Sequence, residues 1–86
     1  MIWTIDAPEY DETGGVRMEW EAGFSILVQN HGPEILIQAN RAGLISLARI
    51  LLTLAGTTTP AGAHVHLTGG QEIDTDLGLV VDRLED

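Results

Sequence analysis

Apolar and polar positions alternate cleanly from Val16 to Glu21, with Val16, Met18 and Trp20 pointing one way and Arg17, Glu19 and Glu21 the other. A period of two marks a half-buried strand. Ala22-Gly23 reads as a tight turn and Phe24 to Asn30 as a second strand, so the pair predicts a hairpin. His31-Gly32-Pro33 is the next turn, and Glu34 to Ala39 a third strand with Ile35, Ile37 and Ala39 on one face. Ahead of these, Met1 to Ile5 fits an edge strand. Asp6 to Gly15, with Pro8, four acids and two glycines, reads as a loop.

The period then changes. Asn40 can cap a helix through its side-chain oxygen. Leu44, Leu47, Ala48, Leu51, Leu52 and Ala55 recur at helical spacing, and Gly56 is placed to stop the helix. Thr57 to Gly62, with Pro60, is a loop. His64 to Leu67 and Leu77 to Leu84 predict two more short strands, joined by a Gly-rich acidic loop. The order β-β-β-β-α-β-β predicts an α+β fold in a single domain, 1–86. Its expected form is a two-layer sandwich, one amphipathic helix on a mostly antiparallel sheet of about 4–6 strands. Trp20 is expected in the core. Trp3, near a terminus, would make an interface anchor if exposed. At ~100° per residue the helix carries an apolar arc on the order of 220° wide, with Ile45 and Ile50 on its flanks. That exceeds what packing on one sheet needs, so the excess is either covered by loops or part of a self-association surface.

Composition narrows the function classes. A chain of 86 residues and 9.3 kDa hides roughly 60% of its surface on folding. That suffices for one modest core. Thirteen acids oppose four bases, all arginine, for a net charge of −9. Such a surface repels nucleic-acid phosphates and anionic membranes but suits a basic protein partner. Without cysteine there is no disulfide, thiolate nucleophile or sulfur-ligated metal. The longest apolar tract, Ala42 to Ala55, is broken by Arg49 and too short to span a bilayer, so a cytoplasmic protein is expected.

Candidate chemistry is sparse. His64-Val65-His66 places two imidazoles on one strand face, about 6–7 Å apart. Further ligands for a metal would have to come from Glu72, Asp74 or Asp76. The pair resembles the cupin metal motif, but Gln71 stands where that motif has its glutamate, and no second histidine motif follows. A calcium loop starting at Glu72 would need a closing glutamate where Arg83 stands. No nucleophile elbow, phosphate loop or dinucleotide fingerprint is present. The expectation is a protein that is not an enzyme and uses no cofactor or metal.

The run Ala39-Asn40-Arg41-Ala42-Gly43-Leu44, then Ser46-Leu47-Ala48, Leu51-Leu52 and Leu54-Ala55, is followed by Pro60, Gly62, His64-Val65-His66-Leu67 and finally Leu79-Val80-Val81. This series, roughly residues 35 to 84, resembles the immunity protein 32 family, small proteins of bacterial polymorphic-toxin systems. Two departures stand out: Thr68 where the family often has an acid, and Gly78 where it usually has a glutamate. The resemblance implies an α+β fold and a role in neutralising a toxin made by the same cell. His64 and His66 match its signature. Charge adds the acidic loops as candidate toxin contacts: Asp6, Glu9, Asp11 and Glu12 in one, Glu72, Asp74 and Asp76 in the other. Two other readings stand beside this one: a homodimeric structural or regulatory module, and a metal-dependent protein using His64 and His66.

Overall fold

The computed structural model describes residues 2–67, 74–75 and 78–85. Five strands and one helix follow in the order β1 (Ile26–His31), β2 (Glu34–Ala39), α1 (Arg41–Leu54), β3 (His64–Leu67), β4 (Asp74–Thr75) and β5 (Leu79–Asp82). The class is α+β, as the hydrophobic pattern predicts. Instead of one sheet, however, the strands form two small ones: β2-β1-β4, in which β4 runs parallel to β1, and the antiparallel pair β3-β5.

The hairpin lies one strand later than the alternation suggested. β1 and β2 pair in unbroken register from Ile26↔Ala39 to His31↔Glu34. Gly32 takes a positive φ of 67°, and Pro33 fixes a negative φ beside it. That combination of signs suits a type II′ hairpin turn. The Ala22-Gly23 turn does form, with the Phe24 N–H donating to the Glu21 carbonyl at 3.2 Å.

Residues 16–21 are not a strand, although their alternation survives as burial. Val16, Met18 and Trp20 are half-buried while Arg17 and Glu19 are exposed. The segment satisfies its backbone groups on helix side chains. The Glu21 N–H donates to Ser46 Oγ at 2.9 Å, and Arg49 Nη1 reaches the Glu19 carbonyl at 3.4 Å. Residues 2–5 form no strand either. Further along, the Asp6 carbonyl accepts from Arg49 Nε at 3.0 Å and the Pro8 carbonyl from the Thr53 hydroxyl at 2.8 Å. Residues 2–21 thus form an arm tied to one flank of α1. Part of the expected acidic loop is also strand, since Asp74 and Thr75 pair with Leu27 and Val28. Leu77 lies outside the described residues.

The helix presents a different face from the one its leucines suggest. Gly43, Ser46, Ile50, Thr53 and Leu54 are buried, whereas Leu44, Leu51 and Leu52 remain about half exposed. Small residues explain the rotation. A Cβ on Gly43 would lie 2.5 Å from the Ser25 carbonyl oxygen, so only glycine admits this approach. Two buried clusters result: Ile26, Val28 and Leu67, and Ile50, Leu54, Ala63 and Val65. Met18 and Trp20 pack against both and join them. Trp20 stacks on Phe24 with centroids 4.6 Å apart.

Both helix ends are capped. Asn40 Oδ1 accepts from the Gly43 N–H at 2.8 Å and the Ser25 N–H at 3.0 Å, while its Nδ2 donates to the Gly23 carbonyl at 2.9 Å. One amide thereby fixes the helix start to the chain entering β1. At the other end the Thr59 hydroxyl donates to the Thr53 carbonyl at 2.7 Å. Arg83 Nη1 donates to the carbonyls of Leu54 and Gly56 at 2.8 and 2.9 Å. No basic residue lies in the last turn of α1. The cation that suits the helix C-terminus is supplied from just beyond β5.

Candidate partner-binding surface

The acidic residues of the arm lie in the open. Asp6, Glu9, Asp11 and Glu12 are all exposed. Asp11 closes a small turn: its backbone exchanges hydrogen bonds with Gly15, and its Oδ1 accepts from both the N–H and the hydroxyl of Thr13, each at 2.9 Å. The Thr13 N–H, then its hydroxyl, then the Gly14 N–H hold the Asp11 carboxyl below the usual carboxylate range. Asp11 is therefore a fixed anion, protonated only at pH values below those that neutralise an ordinary aspartate.

Only four arginines stand against thirteen acids. Arg49 and Arg83 donate to backbone carbonyls, and Arg41 stands over the Trp3 ring, 4.9 Å from its centroid. Among the described residues the ion pairs are Arg49 with Glu21 at 2.6 Å and Arg17 with Glu19 at 4.0 Å, the latter well exposed. The arm acids Asp6, Glu9, Asp11 and Glu12 take part in neither pair and stand exposed.

His64 and His66 point outward from β3 while Val65 and Leu67 are buried. Their rings meet edge to face with centroids 5.0 Å apart, and His64 Nδ1 lies 3.0 Å from the Gly62 carbonyl. Across the ladder, Asp82 is paired with His64 and Val80 with His66, so this outer face carries a carboxylate and an exposed valine as well. Among the described residues no three histidine, aspartate or glutamate side chains converge as a metal site would require. Asp74 lies in β4; Glu72 and Asp76 fall outside the described residues. The arm meets the histidine strand at a shallow pocket lined by Tyr10, Val16, Pro60, Gly62 and His64, and none of the arm's acids lines it.

Leu44, Ile45, Ala48, Leu51, Leu52 and Ala55 fall on the outward side of α1, with Arg41 the one charge among them. Trp3 and Ile5 of the arm complete an open groove of about 550 Å³ over Arg41, Leu44, Ile45 and Ala48. The width of the apolar arc was the available signal; which side faced the core depended on the close approach at Gly43.

Among the described residues no helix is long and apolar enough to cross a membrane. Comparison with curated proteins and with solved structures returns no match. The family profile described as Immunity protein 32 matches residues 34–84, which takes in β2, α1 with its Asn40 cap, the histidine strand, β5 and Arg83. With more than half of its length matched, the chain belongs to the immunity protein 32 family.

Proposed function

We propose that this protein is a non-enzymatic inhibitor that neutralises a cognate bacterial toxin in the cytoplasm by binding and occluding it. Membership of the immunity protein 32 family carries this reading. The net charge of −9 supports a toxin with a basic surface. Complementary charge accelerates encounter, which favours an inhibitor that must catch its target early. The proposed contacts are Asp6, Glu9, Asp11 and Glu12 on the arm, Glu72, Asp74 and Asp76 around β4, and the outward pair His64 and His66.

The test begins with capture from a lysate of the source cells, with the full chain as bait and mass spectrometry as the readout. The captured protein is then expressed alone in a naive host. Growth arrest by that protein, relieved by co-expression of this chain, is the expected result. A captured protein that is harmless, or whose toxicity this chain leaves untouched, overturns the reading. For the contact itself, reversing Asp6, Glu9, Asp11 and Glu12 to lysine should slow association at low salt by about tenfold or more. An unchanged rate would remove the arm from the interface.

A further inference from the structure

One edge of the three-stranded sheet, that of β2, is open among the described residues. The sheet order β2-β1-β4 leaves β2 at an end, with no strand beyond it among the described residues. The direction of its backbone groups follows from the ladder. The Asn40 N–H donates inward to the Ser25 carbonyl at 3.2 Å, so Gln38, Leu36 and Glu34, in phase with Asn40, also bond to β1. Ile35, Ile37 and Ala39 therefore aim their N–H and C=O groups away from the sheet. Their side chains share the face of Asn30, Val28 and Ile26, their ladder partners. Yet Ile35 is 56% and Ile37 45% exposed, because the core beneath β1 reaches β2 only at its Ala39 end.

Natural edge strands are protected by lysine, proline, bulges or inward-pointing charge. Between Ile35 and Ala39 there is no charge and no proline, and the register with β1 is unbroken. This is a neutral strip on a molecule of charge −9. A second copy, repelled elsewhere by its own acids, can approach here without setting like charges against each other.

We propose that β2 pairs with β2 of a second copy, antiparallel about a two-fold axis at Leu36, joining two three-stranded sheets into one. This register matches like with like. Ile35 faces the partner's Ile37 and Leu36 faces the partner's Leu36. Ile35 and Ile37 are the residues with outward backbone groups, so each isoleucine pair exchanges two hydrogen bonds. Glu34, the one acid of the strand, meets the amide of the partner's Gln38 instead of another carboxylate. A shift of the axis to Ile37 would set Leu36 against Gln38 and lose that matching. So short a seam falls below the standard size of permanent interfaces, so the dimer is a weak one, set by protein concentration.

Sedimentation equilibrium of the full chain, across a concentration series from about 5 to 500 μM, reads the proposal. The expected result is a reversible monomer–dimer equilibrium that tightens as salt rises, because added ions screen the repulsion between two negative copies. Toxin binding driven by opposite charge has the reverse salt dependence, so the two associations are separable. Two exposed substitutions then test the register. Gln38→Lys gives Glu34 of the other copy a cation at both ends of the seam and should tighten the dimer about fivefold. Gln38→Glu should loosen it about as much. Thr58→Lys, which adds the same charge at an exposed site away from β2, should move the equilibrium less than Gln38→Lys does. Ile35→Lys should give a monomer of unchanged circular dichroism. A chain that stays monomeric throughout overturns the proposal, as does a dimer that survives Ile35→Lys or ignores both changes at Gln38. Toxin neutralisation by the Ile35→Lys chain, measured by growth, is expected to persist and keeps the two readings apart.

Discussion

Gly43 shows how one residue can reverse an intrinsic preference. In a helix interior, glycine is normally about 1 kcal/mol less favourable than alanine. Here an added methyl would meet the Ser25 carbonyl oxygen at 2.5 Å, Ile26 Cγ1 at 3.0 Å and Ala39 Cβ at 3.1 Å. Gly43→Ala should therefore destabilise the protein, by about 1–3 kcal/mol in urea unfolding, as overpacking does elsewhere. A rise in the midpoint would mean that α1 stands further from the sheet than described. Asn40 makes the complementary point about what a sequence discloses. Its capping role is legible, because it needs only a short polar side chain ahead of a helical run. Its bonds to Ser25 and Gly23 join positions 15 and 17 residues away, and no local pattern announces them.

The elements divide by how local their determinants are. The helix and the strand that became β2 follow from nearby residues and stand where the hydrophobic period puts them. Val16 to Glu21 does not. Alternation reports an extended chain with one side buried, and it is silent on whether the backbone bonds to a strand or to the side chains of Ser46 and Arg49. The buried face of α1 departs from the apolar count for a related reason: counting apolar residues favours Leu44, Leu51 and Leu52, whereas contact with the sheet favours the small residues Gly43 and Ser46. Arg83 is the long-range partner that completes α1. Arg83→Met keeps the length of the side chain but strips the charge from the Leu54 and Gly56 carbonyls, and should cost about 1–2 kcal/mol in urea unfolding. The loss of amide protection should concentrate in the last turn of the helix. Uniform loss along α1 would show that the guanidinium supports the whole core instead.

For the whole molecule, charge dominates. The net charge is −9, and of the two ion pairs among the described residues one is long and exposed. Raising salt from about 50 to 500 mM should raise the urea midpoint, since screening relieves self-repulsion with few attractive pairs to lose. A falling midpoint would mean that the Arg49–Glu21 pair outweighs the net charge. The acidic character and the outward histidines were legible in composition and alternation, because both depend on side chains that touch little else. The excess of apolar surface on α1 is legible in the width of its arc, but not which side stays open, because exposure is decided by what a distant part of the chain leaves uncovered. The arm has one more consequence. Both tryptophans, Trp3 and Trp20, belong to it, and it contains neither helix nor strand. The protein's ultraviolet emission therefore comes from one segment, while its dichroism comes from α1 and the sheets. Melting followed by emission reports when Trp3 leaves the helix and Trp20 leaves the two clusters it joins; followed by dichroism, it reports when the helix and sheets come apart. The two curves coincide only if a segment tethered by Ser46, Arg49 and Thr53 unfolds in the same cooperative step as the core beneath it.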